Sequence, residues 1–440
     1  MSLMREERAA PPDATSISRG LPAEMKVAPA ARRLAIAIAY SRGPLPMTRA
    51  DQMTVAHLIA FLSARGHAID LYALDTGETM SATQRAWLEA RCRSVRLFPQ
   101  GTPRSVLGVL AGLLRGRPLQ VGWFFNADQR RAVARGMRDV DLGYCYYLRS
   151  AEAMRRVADG KPTFLALQLS QSLNTRRMAD HYRSPKERLI CAIESRLMPG
   201  YEARVWRDFT RTVLVGERDA AEIRAICRAK GLPEIDNVVY GPHGTDIARF
   251  APRPDIAPLP CSLVFNGVMR TYTNVHAITW FVEHVWPLVR AREPRTTLTV
   301  VGRDPRPEVR ALARHDGIAV TGEVENPADC IARAAVCIDP VQAGAGMQNK
   351  LIEFMAMEKP VVATTVANEG IGAVPGEQIV LADTPADMAR EILALFRDGA
   401  RAAAIGRAAR RFVERHWTWE AHFLRLEAEM LRAVAETARR

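Results

Sequence analysis

The sequence contains no apolar run of about 18 residues, the length that a helix needs to cross a bilayer, and so predicts no membrane-spanning segment. Its seven cysteines are scattered, and no two of them form a Cys-x-x-Cys pair. This pattern argues against a disulfide scaffold and against a zinc site, and it fits a reducing compartment. Residues 1–30 hold acids and prolines but lack the apolar stretch of a secretory signal, so we interpret them as a flexible tail.

Basic and acidic residues are unevenly distributed. Residues 31–255 contain 35 Lys and Arg against 22 Asp and Glu, whereas the two charge types balance in residues 1–30 and again in residues 256–440. The net charge of +13 therefore lies in residues 31–255. Such asymmetry predicts an anionic partner for that half of the chain, either a nucleic acid or an acidic membrane leaflet.

Short apolar runs alternate with helical patterns along both halves of the chain, which predicts a doubly wound parallel sheet in each half. The runs of the first half, interpreted as strands, lie at 34–40, 68–74, 94–98, 119–125, 141–148, 162–169, 212–216 and 238–240. Those of the second half lie at 261–267, 297–302, 318–322, 335–340, 360–364 and 379–382. At 48% hydrophobic and 25% charged residues, the composition is that of a globular α/β protein.

A proline-rich stretch without periodicity, residues 251–260, is interpreted as a linker. It separates an N-terminal domain over residues 31–250 from a C-terminal domain over residues 261–410. Residues 411–440, which include two tryptophans, are predicted to form a helix that packs back toward the first domain. At roughly 100 to 200 residues per domain, a chain of this length accommodates two such domains.

The most informative motif is DPVQAGAGMQNKLIEFMAMEKPVVAT at 339–364, where a strand leads through a small-residue loop into a helix. Gly344 and Gly346 permit close approach of a ligand, and the first amides of the helix are available to phosphate oxygens. Lys350 and Glu353 share a helix face. The pattern suggests a nucleotide-diphosphate site, with an ordinary surface salt bridge after a glycine-rich turn as the alternative.

The same stretch, GAGMQNKLIEFMAMEKPVVATTVANEG, resembles the donor site of GT-B glycosyltransferases of family 4. Its QNK-x-x-E variant is most similar to the sugar transferases of exopolysaccharide and PEP-CTERM (exosortase) loci. The resemblance extends to FNGVMRTYTNVHAITWFVEHVWP at 265–287 and to the C-terminal helix. It implies a GT-B fold, in which two Rossmann-like domains face each other across a cleft.

The resemblance assigns the transfer chemistry to Arg270, Lys350 and Glu353. It implies that nucleotide sugar is bound by Gly267, Gly344, Gly346, Met347, Gln348, Asn349, Lys350 and Glu353. Ala345 stands where many relatives carry a first glutamate, so the donor sugar stays open. Stabilising the leaving diphosphate takes positive charge and preorganised amides, and we expect no metal and no other cofactor. Asp139-Val140-Asp141, the only Asp-x-Asp, heads a strand in the first domain and is interpreted as structural.

Polar residues near the predicted strand ends of the first domain are candidates for binding the acceptor, although such residues often only cap loops. They are Gly43, Arg49, Asp51, Arg149 and Gln168, with His243 as a further candidate from the interdomain segment. The position of Gln168 is close to that of a sugar-contacting residue in many relatives. His243 is equally compatible with a role in a turn.

Residues 90–127 contain six arginines and no acid, and they include an apolar helical stripe in RSVLGVLAGLLRGR. Such a stripe between bases is typical of an interfacial helix on an anionic leaflet. The proposed membrane-facing residues are Arg93, Arg96, Arg104, Leu110, Leu114 and Arg115. The alternative is a helix docked on the sheet. Nucleic-acid binding is not expected, because bases and aromatics are not interleaved.

Together these features predict a retaining glycosyltransferase that acts on the inner face of the cytoplasmic membrane. Its substrates would be a UDP- or GDP-linked sugar and a glycan or polyprenyl-linked acceptor in exopolysaccharide or cell-envelope synthesis. Two alternatives remain at this point. One is a nucleotide-sugar epimerase of the same architecture, and the other is a catalytically silent nucleotide-sugar-binding protein.

Overall fold

The computed structural model describes residues 21–22, 25, 27–158, 160–179, 185–241, 244–342 and 348–439. The chain divides into two compact units. The first comprises Met1–His243 and His422–Arg440, and the second comprises Gly244–Ala421. Each unit contains one parallel sheet with helices between its strands, which confirms the predicted α/β class.

The described part of the first unit forms a seven-stranded sheet in the order β3-β2-β1-β4-β5-β6-β7. Apolar residues fill both faces of its central strands, as a parallel sheet covered on two sides requires. The strands are β1 (Ala35–Tyr40), β2 (Ala68–Asp75), β3 (Ser94–Pro99), β4 (Leu142–Tyr146), β5 (Thr163–Gln168), β6 (Arg211–Leu214) and β7 (Val238–Tyr240).

Helices link these strands. They are α1 (Ala50–Ala64), α2 (Ala82–Glu89), α3 (Thr102–Leu113), α4 (Leu119–Trp123), α5 (Ala127–Gly136), α6 (Ala151–Met154), α7 (Gln171–Ala179), α8 (Pro185–Val205) and α9 (Glu217–Ala229). The C-terminal helix α18 (Trp419–Ala438) returns to this unit, where Phe423 packs against Phe61 of α1 with ring centroids 5.5 Å apart. Glu427 of α18 pairs with Arg65 and His67.

The described part of the second unit forms a six-stranded sheet in the order β10-β9-β8-β11-β12-β13. Its strands are β8 (Ser262–Asn266), β9 (Thr297–Val301), β10 (Ile318–Gly322), β11 (Val336–Asp339), β12 (Val361–Ala363) and β13 (Val380–Leu381). Its helices are α10 (Tyr272–Trp280), α11 (Trp286–Arg292), α12 (Pro307–Ala311), α13 (Pro327–Arg333), α14 (Asn349–Ala356), α15 (Thr365–Asn368), α16 (Pro385–Arg397) and α17 (Gly399–His416).

Both sheets reverse their strand order at one point, between β1 and β4 in the first and between β8 and β11 in the second. The connections on either side of such a point lead away from each other and leave a crevice at the carboxyl ends of the strands. Ligands of open α/β sheets bind there. The segments that follow β1, β4, β8 and β11 are therefore where function is expected.

One predicted strand is wrong. Residues 119–125 form helix α4 and the turn after it, not a strand. A short apolar run fits a buried helix as well as a buried strand, and tertiary contacts decide. Here Gly122 of α4 lies against the backbone of Gly108 in α3, so closely that a Cβ on Gly122 would come within 2.7 Å of the Gly108 carbonyl oxygen. Two short helices joined through glycines therefore replace the expected strand.

No helix in the described ranges combines the length and apolar character needed to cross a membrane. Within the same ranges, no group of three or more His, Cys, Asp or Glu residues is arranged to hold a metal ion. Asp141 instead accepts a hydrogen bond from the backbone N–H of Ala35 at 2.7 Å, which ties the start of β4 to that of β1.

Candidate functional site

In the second unit, the reversal point carries a buried ammonium group. Lys350 lies in the first turn of α14, whose apolar residues pack into the core and which ends before Pro360, a residue that cannot continue a helix. Its Nζ donates to Asn274 Oδ1 at 2.7 Å and lies 3.2 Å from Asp339 Oδ1, the last residue of β11. It also lies 4.6 Å from the centre of the Phe265 ring.

This network explains how two charges are kept inside the unit. The Asp339 side chain is fully buried, and burial raises the pKa of its carboxyl group while the Lys350 charge lowers it. A buried charge is tolerated only where it is paired and hydrogen-bonded. Lys350 therefore joins α14 to the strand ends, and its partner is Asp339 rather than Glu353.

Glu353 lies one turn further along α14. Asn266, the last residue of β8, donates its Nδ2 hydrogen to Glu353 Oε2 at 2.9 Å. Burial raises the pKa of Glu353 to about 7, against the opposing charges of Arg249 and Lys350 and the Asn266 hydrogen bond. A carboxyl group with this pKa is close to half ionised at neutral pH. Hydroxyl groups that donate to it would favour the carboxylate.

The loop after β8 is held close to the loop after β9 by two glycines. A Cβ on Gly267 would lie 2.6 Å from Asn274 Nδ2, and one on Gly302 would lie 1.7 Å from the Gly267 carbonyl oxygen. Gly302 also has φ +152°, which favours glycine. The absence of side chains here allows Asn274 to reach Lys350.

The remaining predicted donor residues occupy different places. Arg270 is two-thirds exposed, with its Nε 3.8 Å from Asp304 Oδ2. Gln348 immediately precedes α14 and Asn349, which is exposed, begins it. Gly344, Gly346 and Met347, together with Ala345, lie outside the described residues.

In the first unit, two guanidinium groups meet one carboxylate at the reversal point. Arg42 Nε lies 3.4 Å from Asp51 Oδ2, and Arg149 Nη2 lies 3.6 Å from the same oxygen. Both arginines lie over the ring of Phe124, with centroid distances of 5.8 and 4.9 Å. Arg149 also lies 4.5 Å from the centre of the Tyr147 ring. The structure thus brings together Asp51 and Arg149, two of the predicted acceptor residues.

The other predicted acceptor residues lie around this cluster or apart from it. Arg49 Nε is 3.5 Å from Glu78 Oε1. Gly43 and Glu78 line a cavity of about 270 Å³ that extends along the end of β2. Gln168 is buried at the end of β5 with φ +70°, and His243 lies outside the described residues.

Four contributors to these sites have no role assigned from the sequence: Phe124, Asn266, Asn274 and Asp339. Phe124 was assigned to a strand, while Asn266 and Asn274 carried no motif that singled them out. The reversal points offer the missing signal, because any polar residue at the carboxyl end of a strand beside such a point is a candidate.

The apolar stripe of α3 is exposed. It consists of Val106, Leu107, Leu110, Leu113 and Leu114, of which Leu107, Leu110 and Leu114 are 65%, 55% and 90% exposed. The opposite side of α3 meets α4, since a Cβ on Gly108 or Gly112 would lie within 3.3 Å of Gly122. None of the described residues therefore buries this stripe.

The arginines predicted near the stripe differ in their surroundings. Arg104 and Arg115 lie at its two ends and are exposed, with Arg104 3.4 Å from Asp128 and Arg115 donating to the carbonyl of Ala111. Arg93 pairs with Asp70, and Arg96 lies over the ring of Tyr72. Arg104 and Arg115 are thus the two that lie beside the exposed leucines.

Comparisons with known proteins agree with this architecture. Residues 260–398 match the family of glycosyl transferases group 1. An uncharacterized 44.6 kDa protein in the cps region of Klebsiella pneumoniae is 22% identical over 368 residues, which is 80% of this chain and 88% of that protein.

Two solved structures share the fold along almost the whole chain. Sucrose-phosphate synthase from Thermosynechococcus elongatus superposes with a TM-score of 0.62 at 18% identity, over 92% of this chain and 100% of that one. Anabaena HepE in complex with UDP superposes with a TM-score of 0.58 at 14% identity, over 91% of this chain and 100% of that one. The chain therefore has the GT-B fold, and its residues 260–398 are similar to the group 1 glycosyltransferases.

Proposed function

We propose that the chain is a retaining, metal-independent glycosyltransferase of polysaccharide synthesis. It would move a sugar from a UDP- or GDP-linked donor to a glycan or polyprenyl-linked acceptor. The family match of residues 260–398 supports the reaction class. The similarity to HepE, which was solved with UDP, supports a nucleotide-sugar donor, and the relative in the cps (capsule) region supports the product class.

The observation that carries the proposal is the orientation of Glu353. Its carboxyl group is held by Asn266 beside the reversal point of the second sheet, on the helix that follows the glycine-rich loop. As a carboxylate it accepts hydrogen bonds from two neighbouring hydroxyls, the pattern that the ribose of a nucleotide presents. Burial around it makes these hydrogen bonds stronger than they would be in water.

Transfer requires stabilisation of the diphosphate that leaves the sugar. The free amides at the start of α14 and the exposed Arg270 are suited to this, because fixed dipoles and cations aimed at developing charge lower the barrier. Lys350 contributes by fixing α14 through Asp339 and Asn274. The acceptor oxygen bonds to the anomeric carbon of the donor sugar, on the same face from which the nucleoside diphosphate departs. An oxygen of the departing phosphate takes the proton of the acceptor hydroxyl.

The exposed stripe of α3 supports a location on an anionic membrane surface at the inner face of the cytoplasmic membrane. Burying a leucine side chain stabilises association by about 1.5 to 3 kcal/mol relative to exposure. Arg104 and Arg115 add attraction to acidic headgroups, about 1 kcal/mol for each base near the surface. The excess of positive charge in residues 31–255 acts in the same direction. A lipid-linked acceptor would be encountered there.

Donor turnover separates the proposal from its rivals. UDP-, GDP- and ADP-linked sugars are first screened for thermal stabilisation of the full chain. The stabilising donor is then incubated with and without a polyprenyl-linked acceptor. We expect release of nucleoside diphosphate that depends on the acceptor, together with a glycosylated lipid. Free sugar from donor alone would identify an epimerase, and binding without turnover would identify a silent binding protein.

Vesicle co-sedimentation tests the membrane surface. The variants Leu110→Ser/Leu114→Ser and Arg104→Glu/Arg115→Glu should each lower binding to vesicles that contain phosphatidylglycerol by tenfold or more. Leu288→Ser and Arg295→Glu, which alter exposed residues of the second unit, are the matched controls. Unchanged binding of both double variants would contradict a membrane role for α3.

A further inference from the structure

The first unit contains a nearly buried guanidinium group that makes no hydrogen bond within the described part of the protein. The Arg149 side chain is 14% exposed, and its closest charged neighbour, Asp51, lies at 3.6 Å. Its Nε is buried and has no hydrogen-bond partner in the ranges that the structure describes. Folded proteins rarely leave a buried charged donor in this condition, because its desolvation is costly and hydrogen bonds normally offset that cost.

Among the described residues, further buried polar atoms near this edge of the sheet make no hydrogen bond. They include Ser41 Oγ, directly after β1, Ser150 Oγ, in the turn after β4, and Gln168 Oε1, at the end of β5. These strands are neighbours in the sheet, where Tyr40 pairs with Tyr146 and Tyr146 with Ala166. These groups therefore lie at the ends of three neighbouring strands, beside the reversal point where a ligand is expected.

The backbone at this edge is held in an unfavourable conformation. Tyr147 and Gln168 have φ values of +72° and +70°, a region that residues with a Cβ rarely adopt. Hydrogen bonds surround these residues, since Gln171 Nε2 donates to the Tyr147 hydroxyl at 2.9 Å and buried Glu202 accepts from Gln171 N at 2.7 Å. Backbone strain of this kind is concentrated at ligand-binding sites.

The guanidinium of Arg149 and the two serine hydroxyls are hydrogen-bond donors, so they favour an anionic ligand. A planar guanidinium matches the paired oxygens of a phosphate or carboxylate, and serine hydroxyls donate to the same oxygens. Asp51 is negative, but Arg42 and Arg149 both lie against it and offset its repulsion of an anion. A phosphoryl group, which has more acceptor oxygens and more charge than a carboxylate, makes the fuller use of one guanidinium and two hydroxyls.

We propose that the carboxyl edge of the first sheet binds a phosphoryl group of the acceptor, through Arg149 with Ser41 and Ser150. This rests on the proposed function, in which the first unit receives the acceptor. The phosphoryl group can belong to a lipid-linked diphosphate or to a soluble phosphate compound. Arg149 determines affinity for that group, while Tyr147 and Gln168 fix the backbone around it.

The test is calorimetric titration of the full chain, saturated with UDP so that a nucleotide site is already filled. The probes are inorganic phosphate, farnesyl diphosphate and glucuronate. We expect both phosphate probes to bind, and Arg149→Gln and Ser41→Ala/Ser150→Ala each to weaken them at least tenfold. Arg131→Gln, at an exposed arginine paired with Asp128, is the control and should leave both affinities unchanged. Tighter binding of farnesyl diphosphate identifies the lipid source, and equal affinities identify a soluble one.

The thermal midpoint separates binding from a structural role. Arg149→Met removes the unsatisfied charge, so it should abolish phosphate binding while the midpoint of the ligand-free protein stays the same or rises. Phosphate affinities that do not change in Arg149→Gln would overturn the site, and Arg149-dependent binding of glucuronate alone would overturn the phosphoryl assignment. Failure of UDP to bind the wild type would instead refute the proposed function, which the calorimetry with UDP measures separately.

Discussion

The two reversal points place similar residues in opposite conditions. In the second unit the buried cation, Lys350, donates hydrogen bonds to Asn274 and Asp339 and lies beside the Phe265 ring. In the first unit Arg149 is almost as deeply buried, yet it makes no hydrogen bond among the described residues. A buried cation that is hydrogen-bonded stabilises the fold, whereas one without hydrogen bonds has donors left for a ligand. Under our proposal, the same topology supports a rigid ion pair in the second unit and a ligand site in the first.

The largest difference should appear when each cation is removed. Lys350→Met leaves the buried carboxylate of Asp339 without its partner, which should lower the free energy of unfolding by about 3 to 5 kcal/mol. Arg149→Met should change it by less than about 0.5 kcal/mol or raise it, because Asp51 keeps Arg42. Urea unfolding followed by tryptophan fluorescence measures both.

Removing Asp339 together with Lys350 provides the control for that comparison. The double variant Lys350→Met/Asp339→Leu should lose much less stability than Lys350→Met alone, since no charge then stays buried. An equal loss of unfolding free energy in Lys350→Met and Arg149→Met would contradict this difference between the two cations.

A smaller effect concerns ionisation in the second unit. Since the pKa of Glu353 is raised to about 7 by burial, its carboxylate fraction increases as pH rises from 6 to 8. If the carboxylate binds the nucleotide, the affinity for UDP or GDP should increase about tenfold over this range. Calorimetry at several pH values measures the change.

Variants of Arg249 and Glu353 test whether this pH dependence comes from the Glu353 carboxyl group. Arg249→Gln removes a charge that lowers the pKa of Glu353, so the midpoint of nucleotide binding should move to higher pH. Glu353→Gln should bind weakly with little pH dependence between 6 and 8. If the pH midpoint of nucleotide binding does not change in Arg249→Gln, Arg249 does not act on Glu353.

The smallest expected effect tests the strain at the first reversal point. Gln168 has φ +70°, a left-handed conformation that glycine adopts without strain. Gln168→Gly removes this strain but adds conformational entropy to the unfolded chain. The net effect should be an increase of about 0.5 kcal/mol in the free energy of unfolding. Phosphate binding should weaken at the same time. Glu358→Gly, at φ +57° in the second unit, should bring a similar gain without affecting phosphate binding. Thermal unfolding and the phosphate titration together measure both outcomes.

Much of the architecture could be predicted from the sequence. Continuous apolar runs such as that of β1 identify buried parallel strands, because both faces of such a strand are covered. The two reversal points follow from strand order, which the sequence does not specify. Helix α4 could not be predicted, since its conformation depends on contact between Gly122 and Gly108.

Some of the site residues could be predicted from the sequence, and others could not. Lys350 and Glu353 were identifiable from their spacing after a glycine-rich loop. Their partners were not, because Asn274 and Asn266 lie 76 and 87 residues away in the chain. Likewise, Arg149 is a candidate at a strand end, but only the packed structure reveals that it makes no hydrogen bond to the described part of the chain.

The central claim is that Glu353 in the second unit holds the nucleotide of the donor. Calorimetric titration of UDP and GDP at pH 8 into wild type, Glu353→Ala and the control Glu358→Ala tests it most directly, since Glu358 is an exposed glutamate just after the same helix. We predict that one nucleotide binds the wild type and the control equally, and that Glu353→Ala loses at least tenfold in affinity. Unchanged nucleotide affinity in a folded Glu353→Ala protein would contradict the account.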